Sequence, residues 1–220
     1  MACRKQIIEK YFANTNKSVI MKFIDAAKNK KINKLISYYD AYDFHFGNLD
    51  REKKYNILEL GVSKGGGLWT LKEFFPNSSI TGLDINIECK QYESKKDNIE
   101  IFIGSQSDIN LLQQIHDQRG PFDIIIDDAG HYIEEQQISF SKLFPLMNNN
   151  SIYVVEDLHT SYWHKFNIKS NETMMDTLKK LASKSTSNWA SRCYRAIGRW
   201  KNESELDYYD EHVDSVHFHD

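Results

Sequence analysis

The sequence has few cysteines and no long apolar run. Its three cysteines include no C-x-x-C pair, which argues against a disulfide framework and a thiolate zinc site and fits a reducing cytoplasm. No segment approaches the ~18 consecutive apolar residues of a membrane span, and the N-terminus lacks the apolar run of a signal peptide. We therefore expect a cytoplasmic protein without a membrane-spanning segment.

An excess of positive charge is also lacking. The formal net charge is −3 at pH 7, so nucleic acid is not an expected partner. The charge is uneven, because residues 1–40 hold nine basic and three acidic side chains, whereas residues 201–220 hold one basic and seven acidic side chains. Two solvated faces, a contact between the two segments, or a basic N-terminus that binds an anionic substrate would each explain this pattern.

Short apolar runs alternate with helical patterns through the middle of the chain. We predict strands at residues 56–60, 79–84, 99–103, 122–127 and 151–155, and helices at residues 68–75, 87–96, 107–117 (with Ser107 as a cap) and 133–147. Strands and helices of these lengths in alternation predict βαβ units and a parallel sheet. The fold class is therefore α/β, with a single Rossmann-like, doubly wound and mostly parallel sheet.

The segments on either side of this pattern are less regular. Helical periodicity covers residues 5–46, and a polar break separates it from the first strand. We therefore divide the chain into an N-terminal helical extension, residues 1–50, and a Rossmann-like domain, residues 51–220. The later part of that domain is predicted to contain helices at residues 172–183 and 188–200 and a last strand at residues 212–218.

A glycine-rich turn, ELGVSKGGG at residues 59–67, follows the first predicted strand. The spacing from Gly61 to Gly65 lacks the close first pair of the G-x-G-x-x-G dinucleotide loop. Glu59, two residues before Gly61, suits a methionine-type zwitterion with adenosine better than a pyrophosphate. Asp84 ends the next strand, where a carboxylate accepts hydrogen bonds from ribose hydroxyls, unless it only caps a helix. The pattern favours an adenosine-containing cofactor.

Three carboxylates follow the fourth and fifth predicted strands, Asp128 after the former and Glu156 and Asp157 after the latter. Neither segment contains Lys or Arg, so the acids would repel one another unless a cation binds, or unless some are helix caps or solvated. Hard oxygen ligands without cysteine indicate Mg²⁺, Mn²⁺ or Ca²⁺. His131 is either the general base beside such a metal or an ordinary turn residue.

The order and spacing of these segments resemble the class I S-adenosylmethionine (SAM)-dependent methyltransferases of the macrocin and mycinamicin sugar O-methyltransferase group, which have cephalosporin-hydroxylase-like relatives. The specific parts of the resemblance are the Asp-x-x-His after strand four and the Glu-Asp pair after strand five. The matching segments are YYDAYDFHF (38–46), ILELGVSKGGGLW (57–69), GLDI (82–85), IGSQSD (103–108), FDIIIDDAGH (122–131) and VVEDLHTSYW (154–163).

The resemblance implies a metal-dependent O-methyltransferase with His131 as the base, acting on a hydroxyl of a sugar or surface-glycan precursor; a phosphoramidate-type capsule group is another acceptor. It implies Mg²⁺, or Mn²⁺ or Ca²⁺ in its place, on Asp128, Glu156 and Asp157. SAM would be surrounded by Glu59, Gly61, Ser63, Gly65, Asp84, Ser105, Gln106 and Asp127. Five further side chains would either line the acceptor pocket or pack in the core, namely Tyr38, Tyr42, His159, Tyr162 and Trp163.

The chain departs from the family pattern at three places. Ala129 and Gly130 stand where Gly-Ser is usual, and Lys64 adds a charge to the glycine loop. The sequence also stops near the predicted sixth strand, so we expect either a truncated C-terminal hairpin or a homo-oligomer that covers the open edge. Three alternatives are an NAD-dependent oxidoreductase, a non-haem iron oxygenase and a non-catalytic SAM-binding protein. An iron oxygenase site needs two histidines and one carboxylate, whereas this site has more carboxylates than histidines.

Overall fold

The computed structural model describes residues 21–32, 34–166, 172–183 and 208–219. Within the described residues, two helices precede the sheet, α1 (Phe23–Ala27) and α2 (Ile36–Phe46). The prediction of helix over residues 5–46 is confirmed for these segments and wrong for residues 28–32 and 34–35 between them, while residues 1–20 and 33 lie outside the described part. The intervening sequence KNKKINK has a single apolar residue and so lacks a face to bury, and Asn29 within it has a φ of 64°.

Five parallel strands form the sheet in the order β3-β2-β1-β4-β5. The predicted bounds are confirmed for the first three strands, and the last two are shorter at their N-terminal ends. Leu60 of β1 pairs with Leu83 of β2 and with Asp127 of β4, and Asp127 pairs with Val155 of β5. The carboxyl ends of these four strands therefore lie at the same level of the sheet. The strands are β1 (Asn56–Leu60), β2 (Ser79–Asp84), β3 (Ile99–Ile103), β4 (Ile124–Asp127) and β5 (Ile152–Val155).

Helices connect these strands. The predicted helix at residues 87–96 is instead a short 3-10 helix over Ile87–Tyr92. The predicted cap, Ser107, is also wrong: Asp108 caps the next helix, since its carboxylate accepts hydrogen bonds from the N–H groups of Asn110 and Leu111. The remaining elements are α3 (Gly66–Phe74), α4 (Ile109–Arg119), α5 (Ile133–Leu143) and 3-10 turns at Phe144–Leu146 and Leu158–Tyr162.

The sheet is buried on both faces, as its apolar strands predict. Successive side chains of β1 enter different clusters, because side chains of a strand alternate between faces. Ile57 packs in the cluster that includes Phe23 of α1 and Phe74 of α3, whereas Leu58 packs with Leu112 of α4. The two N-terminal helices therefore share a core with the sheet.

The C-terminal part contains a helix at residues 174–183, α6, and the helix α7 (Tyr208–His212). The helix predicted at residues 172–183 is thus confirmed, and the one at residues 188–200 lies outside the described residues. The strand predicted at residues 212–218 is wrong: His212 ends α7, and residues 213–219 form neither a helix nor a strand. Val213 and Val216 anchor this segment in the apolar cluster that contains Phe140. No helix of the described residues is long and apolar enough to cross a membrane.

Candidate active site

The glycine loop and the loop after β4 are pressed together at the carboxyl ends of the strands. Gly61 has a φ of 93°, and a Cβ at this position would lie 2.1 Å from the carbonyl oxygen of Asp128. The N–H of Asp128 in turn donates to the carbonyl of Leu60 at 2.9 Å. Only glycine fits both the backbone angle and the space at position 61. The predicted cofactor loop and the predicted acidic loop therefore lie side by side.

Glu59 is buried beneath the glycine loop. A Cβ on Gly67 would lie 1.9 Å from Oε1 of Glu59, so the carboxylate lies directly against the backbone at the start of α3. Burial raises the pKa of Glu59 to about 8, although the ammonium of Lys34 acts in the opposite direction. Its Oε2 atom has no hydrogen-bond partner among the described residues. Gly65, with a φ of 75°, precedes this helix.

Asp84 fixes the glycine loop. Its Oδ2 accepts hydrogen bonds from the N–H groups of Val62 at 2.8 Å and Ser63 at 2.9 Å, and its Oδ1 accepts one from the N–H of Asn86 at 2.8 Å. The carboxylate thus joins the end of β2 to the turn after β1. The predicted contact between Asp84 and a ribose stays a prediction.

Asp127 is fully buried at the end of β4 and belongs to a polar network. Its carboxylate accepts hydrogen bonds from Ser139 Oγ at 2.6 Å, Gln106 Nε2 at 3.2 Å and Tyr153 OH at 3.3 Å. Burial raises the pKa of Asp127 to about 7, although these hydrogen bonds oppose the rise. The side-chain oxygen Oε1 of Gln106 also accepts a hydrogen bond from the N–H of Gly130 at 2.9 Å. Asp127 and Gln106 therefore support the loop that carries Asp128 from inside the protein.

Ser105, another side chain predicted to contact the cofactor, lies in the turn after β3. Its Oγ is 2.7 Å from Oγ of Ser107 and accepts a hydrogen bond from the N–H of Ser107 at 3.1 Å. The hydroxyl is half-buried and helps to form this turn. Its predicted contact with SAM is not tested by these hydrogen bonds.

Asp128, His131 and Asp157 converge beside the glycine loop. One ligand atom from each lies within 4.8 Å of the others. Nε2 of His131 is 3.4 Å from Oδ2 of Asp157 and 4.0 Å from Oδ1 of Asp128. This geometry suits a divalent cation held by the two carboxylates, because carboxylate oxygens are ligands for Mg²⁺ and Mn²⁺.

Two of these residues have unusual backbone angles. His131 has a φ of 58° and Asp157 a φ of 54°. Of the described non-glycine residues at positive φ, three are asparagines, and the other three are His131, Asp157 and Ser63 of the glycine loop. Asn, Asp and His adopt this region more readily than other side chains, so these angles set the direction of His131 and Asp157 at little cost.

Glu156, the third predicted metal ligand, faces a lysine. Nζ of Lys34 donates to both carboxylate oxygens of Glu156 at 2.6 Å and to Oδ2 of Asp128 at 2.5 Å. Burial raises the pKa of Glu156 to about 7, although Lys34 opposes this rise. Burial alone would lower the pKa of Lys34, but the charges of Glu156, Asp128 and Glu59 outweigh it and raise that pKa.

Two tyrosines of α2 also reach the acidic cluster. Tyr38 OH donates to Oδ1 of Asp157 at 2.5 Å, and Tyr42 OH donates to Oε1 of Glu156. Both were predicted to line an acceptor pocket or to pack in the core. Tyr42 is buried, and its ring stacks on Phe23 with centroids 4.6 Å apart, so it does pack in the core while its hydroxyl contacts the site.

The sequence model of a protein family described as "Methyltransferase domain" matches residues 51–211. The chain belongs to this methyltransferase family. Its five-stranded parallel sheet agrees with the predicted class I fold, and its similarity to sugar O-methyltransferases agrees with the predicted group.

Two curated relatives and one solved structure illustrate the similarity. The mycinamicin VI 2''-O-methyltransferase of Micromonospora griseorubida is 38% identical over 57% of this chain and 32% of the relative. The 8-demethyl-8-(2-methoxy-alpha-L-rhamnosyl)-tetracenomycin-C 3'-O-methyltransferase of Streptomyces olivaceus is 37% identical over 55% of this chain and 32% of the relative. The MycE methyltransferase in complex with Mg, SAH and mycinamycin VI has a TM-score of 0.64 at 33% identity, covering 71% of this chain and 45% of that chain. The chain spans about a third of the length of the curated relatives it matches.

The remaining predicted site residues, His159, Tyr162 and Trp163, follow β5. Tyr162 and Trp163 are 67% and 54% exposed, and the rings of His159 and Trp163 are 4.8 Å apart between centroids. They follow β5 directly after Asp157, on the turn Leu158–Tyr162. An exposed aromatic surface therefore lies next in the chain to the acidic cluster.

Three further residues contact the predicted site residues and were not predicted from the sequence, namely Lys34, Ser139 and Tyr153. Lys34 is 94 residues from Asp128 along the chain. The excess of basic residues near the N-terminus was the only sequence feature that could have indicated its role. Ser139 was detectable in principle, because a polar residue on the buried face of α5 requires a partner. Tyr153 lies within an apolar strand, where a tyrosine is ordinarily explained by packing.

Proposed function

We propose that this protein transfers the methyl group of SAM to a sugar hydroxyl with the help of a divalent metal, Mg²⁺. The observation that carries the proposal is the convergence of Asp128, His131 and Asp157 beside the glycine loop. The curated relatives are named for O-methylation of natural products, two of them at rhamnosyl sugars, and the MycE structures contain Mg and SAH.

The glycine loop fits SAM. The unpartnered Oε2 of buried Glu59 needs a donor, and the cationic methionine part of SAM supplies donors of that kind. We keep Gly61 and Gly65 as the turn that shapes the cofactor loop: a Cβ would meet the carbonyl oxygen of Asp128 at 2.1 Å at position 61 and the ring of Tyr92 at 2.6 Å at position 65, so both glycines allow close packing of the loop. We keep Ser63 and Asp84 as contacts to the adenosine part, and Ser105, Gln106 and Asp127 as residues that shape its pocket.

The acidic cluster fits Mg²⁺ on Asp128 and Asp157. When bound, such an ion lowers the pKa of a coordinated hydroxyl. We keep Glu156 as the third proposed ligand; in this structure both of its carboxylate oxygens accept hydrogen bonds from Lys34.

His131 is the proposed general base. Its Nε2 is close to Asp157, which orients the ring, and its Nδ1 is buried without a hydrogen-bond partner among the described residues. The base takes the proton of the acceptor hydroxyl, the oxygen attacks the methyl carbon of SAM, and the carbon–sulfur bond breaks to leave S-adenosylhomocysteine. The protein contributes orientation as well as proton transfer.

The acceptor we propose is a sugar, because the exposed aromatic residues His159, Tyr162 and Trp163 offer ring faces on which a sugar can stack. An acceptor screen distinguishes a sugar on a small molecule from one on a surface-glycan precursor. The relatives give no support to a phosphoramidate acceptor or to an NAD-dependent reaction.

The proposal is tested by following transfer of isotope-labelled methyl from SAM to a panel of deoxysugar glycosides and nucleotide sugars, with Mg²⁺ or with EDTA. Product should form only with the metal. Asp128→Asn and Asp157→Asn should abolish it, whereas Asp117→Asn, an exposed carboxylate on α4, should not. His131→Gln should retain metal binding and lose turnover. Equal turnover in EDTA would reject the metal, and wild-type turnover in His131→Gln would reject the base.

A further inference from the structure

The proposed base and one proposed metal ligand lie on loops that follow different strands. His131 comes after β4 and Asp157 after β5, and Nε2 of His131 is 3.4 Å from Oδ2 of Asp157. Both residues have a positive φ, 58° and 54°, so the backbone of each loop sets the direction of its side chain. The relative position of the two loops therefore sets the distance between the base and this ligand.

The hydroxyl of Thr160 connects these two loops. Its Oγ1 lies 3.2 Å from the backbone carbonyl oxygen of His131 and 2.7 Å from that of Asp157, and its one proton is shared between them. The N–H of Thr160 also donates to the carbonyl of Asp157 at 2.9 Å. Thr160 is 2% exposed, so its hydroxyl is shielded from water and bonds within the protein.

The contact between Thr160 and His131 is more than a local turn bond. A threonine hydroxyl often bonds to a carbonyl three residues earlier, and the bond to Asp157 is of that kind. His131, in contrast, is 29 residues away along the chain. The same hydroxyl therefore carries one bond that shapes its own turn and one that reaches the loop of the base.

A second buried side chain joins the same two loops. Gln136 lies in the first turn of α5, which begins at Ile133, two residues after His131. It is 0% exposed, and its Nε2 donates to the backbone carbonyl oxygen of Glu156 at 3.3 Å. This bond ties the helix that follows the base to the residue before Asp157, while the carboxylate of Glu156 is left out of it.

We propose that Thr160 and Gln136 are positioning residues that hold the loop after β5 against the loop after β4 and so set the distance between His131 and the metal. They act through the backbone of the site residues and touch neither the metal nor the substrates. The inference deepens the proposed function and rests on it, since it requires His131 to act beside a divalent metal.

The first test compares the distance from bound Mn²⁺ to the His131 ring in the full chain. Mn²⁺ broadens the nuclear magnetic resonance signals of nearby protons with a steep dependence on distance. At equal Mn²⁺ occupancy, broadening of His131 should be weaker in Thr160→Val and Gln136→Met than in the wild type, because the loops are free to separate. Thr160→Ser, which keeps the hydroxyl, should match the wild type. Wild-type broadening in folded Thr160→Val and Gln136→Met would overturn the proposal, whereas a wild type that binds no Mn²⁺ would defeat the proposed function itself.

The second test measures methyl transfer by the same variants. Thr160→Val should lower kcat by about 10- to 100-fold, since small misplacements of catalytic groups have effects of that size, and should leave the KM for SAM unchanged. Thr160→Ser should restore kcat. The controls are Thr177→Val on α6, whose hydroxyl accepts a hydrogen bond from Gln137, and Gln137→Met, and both should match the wild type. Equal losses in Thr160→Ser and Thr160→Val would contradict the role of the hydroxyl. If circular dichroism shows that Thr160→Val does not fold, Gln136→Met against Gln137→Met decides.

Discussion

Glu59 and Gly67 are in direct contact across the start of α3: a Cβ on Gly67 would lie 1.9 Å from Oε1 of Glu59. Because Glu59 is buried, its carboxylate has little room to move. The glycine and the acid are therefore one unit, in which the small residue sets the position of the charged one.

Gly67→Ala should displace this carboxylate and weaken binding of S-adenosylhomocysteine by about tenfold, or about 1.4 kcal/mol. Glu59→Gln should have a similar effect. The double variant should lose little more than either single variant, because both changes disturb the same contact. Calorimetric titration measures all three, and strictly additive losses would show that the two residues act separately.

Ser139→Ala should destabilise the fold by about 1–3 kcal/mol, because it removes a hydrogen bond from the buried carboxylate of Asp127. Ser141→Ala, on the exposed side of the same helix, is the control and should change the free energy of unfolding by less than about 0.5 kcal/mol. Urea unfolding at neutral pH measures both. Equal effects would contradict the assigned role of Ser139.

Asp127 also predicts a pH dependence. Its folded pKa of about 7 lies above the usual range for Asp, so the folded protein binds a proton that the unfolded chain releases. The free energy of unfolding should therefore fall as pH rises through about 7, and Asp127→Asn should reduce that slope. Urea unfolding between about pH 5.5 and pH 8 checks this, and an unchanged slope in Asp127→Asn would reject it.

His45 on α2 lies against the C-terminal segment, with its Nε2 2.9 Å from Nε2 of His219. Burial lowers the pKa of His45, and the charges of His219 and His217 lower it further. Stability from this contact should be present above about pH 6.5 and be lost as pH falls through the lowered pKa, because the unfolded chain binds the proton first.

A nuclear magnetic resonance titration of the His45 ring should give a pKa below about 6.5 that rises in His219→Ala. The control variant His116→Gln, on α4, should leave it unchanged. Titration of His45 at or above about 6.5 in the wild type would contradict the contact.

The strands were predictable because apolar runs of fixed length end at polar residues. Ile57, Leu83 and Ile101 are buried where that pattern places them. The false strand at residues 212–218 arose because alternation over a few residues does not distinguish a strand from an irregular segment that anchors Val213 and Val216.

The site was predictable in its acids and histidine but not in their partners. Strand ends in a parallel sheet meet at one edge, so Asp128 and Asp157 had to be close. The sequence places Glu156 and Asp157 side by side but does not show which of them faces His131. The backbone conformation decides this, because Asp157 has a positive φ that sets the direction of its side chain. Lys34 comes from a segment that only tertiary packing brings to the sheet.

The central claim is that this chain binds SAM, and calorimetry of S-adenosylhomocysteine against NAD⁺, each with and without Mg²⁺, tests it most directly. We predict saturable binding of S-adenosylhomocysteine at one site per chain and no heat of binding for NAD⁺. Absence of S-adenosylhomocysteine binding in the folded protein, or binding of NAD⁺ in its place, would contradict the account.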